Sequence, residues 1–138
     1  ALHETRLANT RFEEIKAFTM SSHTRYLCPR SIQATMGNAN QAGYCAAKAG
    51  LSGLARSLAR SVARKNITVN VVVPGVYETD MTNAMSPQAQ ESIRNLIPIG
   101  RRGRPEELAH AVMFLLDDRA SYVTGSTVTV DGGIAMGD

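Results

Sequence analysis

Tyr44 and Lys48 stand four residues apart in the run Gly43-Tyr44-Cys45-Ala46-Ala47-Lys48-Ala49-Gly50-Leu51, and Ser31 precedes the tyrosine by thirteen positions. On a helix, residues four apart share one face. A phenol beside an ammonium is an acid–base pair, because the positive charge favours the phenolate. A serine hydroxyl brought near that phenol can hold a carbonyl oxygen in place. Together the three residues offer what proton delivery to a carbonyl needs: a donor, a charge that tunes it, and a hydroxyl that orients the acceptor. A Tyr-x-x-x-Lys pair alone is more often a surface pair on a helix, so the surrounding elements must carry the argument.

Those elements are legible from Ser31 onward. Gly37-Asn38-Ala39-Asn40 is a turn signal. Residues 42–65 are expected to form a helix, with Leu51, Leu54, Leu58 and Val62 at spacings of three and four and Asn66 at its end. Ile67 to Val73 is a β-branched run broken only by Asn70 and stopped by Pro74-Gly75, the pattern of a strand buried on both faces. Ser86-Pro87 opens a short helix through about Ile97. Pro105-Glu106-Glu107 opens another, with Leu108, Val112 and Leu115 on one face. A strand follows within Ser121–Val130, and Asp131-Gly132-Gly133 ends it. This alternation is the rhythm of an open α/β sheet. Before Ser31 the pattern is weaker. Leu7, Phe12, Ile15 and Phe18 give a loose stripe that predicts a helix over 1–18, and residues 21–30 read as irregular.

Composition bounds the function classes. In 138 residues, 43% are hydrophobic and 20% charged, as in an ordinary globular domain with a real core. No apolar run approaches the ~20 residues of a membrane span, and the first residues do not read as a secretory signal. The net charge of +3 suits an anionic partner. Nucleic acid is disfavoured, because Trp is absent and aromatics make up only 5%. Cys28 and Cys45 read as reduced thiols of a cytoplasmic protein. His3, His23 and His110 lack metal-ligand spacing, so no metal is expected.

Taken together, Ser31, Asn38, Gln41, Tyr44, Ala47-Lys48-Ala49-Gly50-Leu51 and Gly53, then Ile67-Thr68-Val69-Asn70, Pro74-Gly75, Glu78-Thr79-Asp80-Met81, Gly125 and Asp131-Gly132-Gly133, resemble the short-chain dehydrogenase/reductase family. Within it the chain is most similar to the reductases of 3-oxoacyl thioesters in fatty acid synthesis. The resemblance covers about residues 31–133, with 1–30 matching poorly, and implies one partial domain over 1–138. The fold it implies is the C-terminal half of a doubly wound Rossmann-type parallel sheet.

The resemblance also implies roles. Tyr44 would give its proton to the substrate carbonyl oxygen as hydride arrives at the carbon. Lys48 would tune the tyrosine and hold the nicotinamide ribose. Ser31 would orient the carbonyl. Pro74, Gly75, Tyr77 and Thr79 would line the nicotinamide of NADP(H), with NAD(H) not set aside, and residues 81–99 would form a flap over the substrate. Arg56, Arg60, Arg64 and Lys65 read first as a solvated helix face; docking of an acidic acyl carrier protein is the sharper alternative. Arg101, Arg102 and Arg104 have the same two readings. Cys45 needs no role beyond packing. A homo-oligomer, a tetramer in the family, is expected, with Ala47, Gly50, Gly53 and Ala55 permitting close helix approach. Two alternatives are a dehydrogenase of another secondary alcohol (polyol, sugar or steroid) and a non-catalytic dimerisation module.

Three departures from the family pattern stand beside this. No Gly-x-x-x-Gly-x-Gly turn for the cofactor pyrophosphate occurs in the sequence. Arg6 stands where the family's catalytic asparagine is expected. His23-Thr24-Arg25-Tyr26-Leu27-Cys28-Pro29-Arg30 replaces an apolar strand, and its charges and proline argue against a central strand there. The abrupt loss and recovery of the pattern suggests a local frame shift.

Overall fold

The computed structural model describes residues 3–5, 16–20 and 23–136. Its frame is a five-stranded sheet of order β1-β2-β3-β4-β5: β1 (His3–Thr5), β2 (Lys16–Met20), β3 (His23–Pro29), β4 (Thr68–Pro74) and β5 (Thr127–Val130). The β1–β2 and β2–β3 pairs are antiparallel, whereas β3–β4 and β4–β5 are parallel. The parallel strands are joined by helices. Between β3 and β4 lie α1 (Gln33–Met36) and α2 (Ala42–Val62), and between β4 and β5 lie α3 (Asp80–Asn83), α4 (Pro87–Leu96) and α5 (Pro105–Leu116).

Alternation along β4 explains why its sequence is apolar almost throughout. Val69, Val71 and Val73 join Cys28 of β3 and Ala55 and Ala59 of α2 in one buried cluster. Val72 joins Leu27 of β3 and Leu115 and Leu116 of α5 in another. A strand with a helix on each face buries both sets of side chains, as parallel strands do. The three parallel strands with α2 and α5 on opposite faces form an α/β fold consistent with part of a Rossmann-like domain.

The polar interruption at Asn70 is a built joint. The side chain is buried, its Nδ2 donating to the Val123 carbonyl at 2.9 Å and its Oδ1 accepting from the Ser126 N–H at 3.1 Å. It fixes the turn that feeds β5, where Gly125 N–H also donates to Val69 O at 2.7 Å.

Two expectations are corrected. Residues 23–29 are a strand in the interior of the sheet, not irregular. Tyr26 and Cys28 face α2 while Leu27 faces α5, so the period of two is intact. Arg25 is only 1% exposed, and its guanidinium reaches Asp118 Oδ1 at 3.4 Å and Asn66 O at 3.5 Å. Pro29 is tolerated because it ends the strand. The next residue, Arg30, donates its N–H to Val72 O at 2.8 Å, so position 29 is aimed away from β4 and owes that neighbour no donor. The helix expected over 1–18 is replaced, where the backbone is described, by β1 and β2. The open edge of β3 offers a ladder of hydrogen bonds, and that tertiary partner outweighs a loose helical stripe. Leu7, Phe12 and Ile15 lie outside the described residues.

Candidate active site at the carboxyl ends of the parallel strands

Each parallel strand delivers a candidate residue at the same end of the sheet. Ser31 follows β3, Pro74 and Gly75 close β4, and Asp131 follows β5. Open α/β sheets bind ligands beyond the carboxyl ends of their strands, because loops there are free to vary while the sheet stays rigid.

Tyr44 and Lys48 occupy the first two turns of α2. The Lys48 ammonium nitrogen lies 5.6 Å from the centroid of the Tyr44 ring, within cation–π range. Tyr44 is 46% exposed, and its hydroxyl has no hydrogen-bond partner among the described residues. The phenol is therefore available to an incoming acceptor. Ser31 Oγ accepts from the Gln33 N–H at 3.3 Å, which fixes the oxygen and leaves its proton to donate.

The loop between serine and tyrosine is held at three points. Asn40 adopts the left-handed conformation at φ 63°. Asn38 Nδ2 donates to Gln41 Oε1 at 3.1 Å. Cys45 donates its thiol proton to Gln33 O at 3.2 Å, tying the first turn of α2 to α1. Sequence reasoning gave Cys45 no role beyond packing. Its place beside Tyr44 makes it a link between the serine segment and the tyrosine helix.

The turn after β4 is tightly specified. A Cβ on Gly75 would sit 2.5 Å from Asp131 Cα, so only glycine lets this backbone pass the end of β5. Tyr77 pairs with Gly103 in a parallel bridge: Glu78 N–H donates to Gly103 O at 2.9 Å, and Gly103 N–H to Val76 O at 3.0 Å. The Tyr77 N–H itself has no acceptor among the described residues. Thr79 caps α3, its Oγ accepting from Thr82 N–H at 3.3 Å. A free main-chain N–H beside a threonine hydroxyl is a donor set that fits a carboxamide such as that of nicotinamide.

The Tyr77 side chain was not foreseen as a functional element. Its hydroxyl donates to the Val130 carbonyl. Burial, reinforced by Glu107 and Asp131, pushes its phenol up to about 12. Nearby, Arg101 grips Glu107 with two hydrogen bonds of 2.8 and 2.7 Å. That contact leads the causes that hold the Glu107 carboxyl down to about 2. Arg101 and Arg104 both pair with Glu107 at the start of α5, so they order this loop. Arg56, Arg60, Arg64 and Lys65 are exposed. Of the small residues expected to admit a neighbouring helix, Ala47, Gly50 and Gly53 are exposed, but Ala55 is buried against the sheet. Among the described residues no cluster of His, Cys, Asp and Glu could hold a metal ion, and no helix is long and apolar enough to cross a membrane.

Residues 11–135 match the family described as "Enoyl-(Acyl carrier protein) reductase". The chain belongs to the short-chain dehydrogenase/reductase family. It is similar to the 3-oxoacyl-[acyl-carrier-protein] reductase FabG of Escherichia coli (strain K12), 49% identical over 122 residues that make up 88% of this chain and 50% of that protein. Against the FabG of Salmonella typhimurium it is 56% identical over 106 residues, 77% of this chain and 43% of the relative. Against that of Rickettsia conorii it is 46% identical over 124 residues, 90% of this chain and 52% of the relative. The chain thus spans about half the length of the curated relatives it matches.

Proposed function

We propose that this short-chain dehydrogenase/reductase chain carries the proton-delivery half of an NADP(H)-dependent reductase of 3-oxoacyl thioesters. The observation that supports it best is the available Tyr44 phenol under the Lys48 ammonium, beyond the strand ends where Ser31 is fixed as a donor. Ser31 donates to the ketone oxygen and orients it. Tyr44 gives that oxygen its proton, and Lys48 stabilises the phenolate left behind. A bound reduced nicotinamide supplies the hydride to the carbonyl carbon. The Tyr77 N–H and the Thr79 hydroxyl would hold its carboxamide. The pyrophosphate end finds no glycine-rich turn in this sequence.

The relatives' names favour a 3-oxoacyl substrate over an enoyl one, since the enoyl label belongs to the family description alone. The exposed basic residues Arg56, Arg60, Arg64 and Lys65 support an acidic acyl carrier protein as the substrate's bearer. Exposed Ala47, Gly50 and Gly53 along α2 support packing against a second copy, and a cytoplasmic setting follows from the proposed metabolism.

NADPH consumption with acetoacetyl and crotonyl thioesters, in wild type and Tyr44→Phe, tests the reading. Turnover of the acetoacetyl thioester that vanishes in Tyr44→Phe is the expected result. Preference for the crotonyl thioester or for a polyol would reassign the substrate. No NADPH binding by calorimetry would favour an interaction module.

A further inference from the structure

We infer that the Tyr77 side chain is a strut that positions the nicotinamide-facing turn, a role carried by its ring and hydroxyl rather than by its main chain. Four contacts converge on this residue. Its hydroxyl donates to the Val130 carbonyl, and that same carbonyl accepts the Gly75 N–H at 2.9 Å. Both ends of the Gly75–Tyr77 turn are thereby pinned to one oxygen at the exit of β5. Its ring covers Gly103 so closely that a Cβ there would lie 2.6 Å from Cε1. The bridge to Gly103 fixes the main chain on either side, through Val76 O and Glu78 N. Its own carbonyl accepts from Thr82 Oγ1 at 2.7 Å, which sets the start of α3. Ring and hydroxyl therefore tie the turn to β5 and to Gly103 of the 101–107 loop, and the main chain they hold carries the free Tyr77 N–H, Thr79 and the start of α3.

The physical consequence is preorganisation. A donor pair aimed at a carboxamide binds it well only when its geometry is set beforehand, since ordering the turn on binding would cost affinity. A bulkier residue at 103 or a missing hydroxyl at 77 frees the turn while leaving both core clusters intact. Tyr77 is a positioning residue, because it acts through the turn. The inference rests on the proposed reading of the turn as a nicotinamide site.

Native-state hydrogen exchange and NADPH kinetics on Tyr77→Phe, with Gly103→Ala as the second variant, test it. The Glu78 and Gly103 amides are expected to exchange at least about fivefold faster in both variants, with Val71 and Val73 amides unchanged. A general loss of stability would move all four together, and that outcome overturns the strut. Where the chain turns over, the KM for NADPH rises at least about threefold while kcat stays within about twofold; an unchanged KM also overturns it. If wild type neither binds NADPH nor turns over, the functional reading fails by itself, and unchanged exchange at Glu78 and Gly103 then rules out the strut independently.

Discussion

Lys48 holds its ammonium 5.6 Å from the centre of the Tyr44 ring, one helical turn along α2. The contact places a fixed positive charge beside a phenol whose hydroxyl is committed to no other group among the described residues. An exposed tyrosine in that state contributes little to folding and much to any chemistry at its oxygen.

Tyr44→Phe should therefore separate stability from activity. The unfolding midpoint should move by less than about 2 °C, because the side chain is half-exposed and loses no described hydrogen bond. Reduction of a 3-oxoacyl thioester should fall by roughly 10²- to 10⁴-fold, the usual contribution of a positioned general acid. Thermal unfolding and steady-state assays on the same preparation check both halves.

The buried Arg25 makes a prediction about partners rather than charge. Asp118→Asn leaves a guanidinium in the core with its carboxylate gone, whereas Arg25→Met replaces it with an apolar chain of similar length. Asp118 is 53% exposed, so water moderates the loss and the expected cost is about 1–3 kcal/mol. Arg25→Met should cost less than Asp118→Asn. Urea unfolding of the two variants decides it, and the reverse order would show that the arginine's own contacts dominate.

Asn70 should be intolerant of both Ala and Val. Either change orphans the Val123 carbonyl and the Ser126 N–H in a half-buried turn. The expected destabilisation is roughly 1–3 kcal/mol, because two partly buried groups lose their partners and water makes up some of the loss. Valine restores the apolar volume but not the bonds, so its failure to rescue would distinguish hydrogen bonding from packing.

Alkaline pH should weaken the fold through a buried thiol and a half-buried phenol. Burial pushes the Cys28 thiol up from 9.0 to about 11, and burial with Glu107 and Asp131 pushes the Tyr77 phenol up from 10.0 to about 12. A raised folded-state value means the native form holds its proton more tightly. That stability is complete below the unfolded values and is lost as pH rises through the folded ones. Stability should decline from about pH 9 to about pH 12. Tyr77→Phe should flatten the upper part of that slope while Cys28 keeps the lower part, as denaturant midpoints at pH 8, about 10.5 and about 12 would show.

The helix that makes neighbours of Tyr44 and Lys48 was legible from type and spacing, because a helix brings residues four apart together whatever surrounds it. Strand β4 was legible for a similar reason. Burial on both faces demands an apolar residue at almost every position, and that demand is written locally.

What the sequence alone could not decide depends on distant partners. Charge and proline argued against a strand over residues 23–29. The strand holds a buried arginine because Asp118 and the Asn66 carbonyl, far along the chain, meet the terminal nitrogens of Arg25, and it holds Pro29 because that residue falls where the neighbouring strand asks for no donor. A helical stripe near the start of the chain gave way to strands because the edge of β3 supplied hydrogen bonds that no local pattern records. Tyr77 looked like a residue valued for its main chain. Only the approach of Gly103 and Val130 made its side chain a structural link. Local periodicity determined which residues could act together. The tertiary structure decided which polar side chains the core holds, because burying a polar group costs least where the rest of the chain brings it a partner.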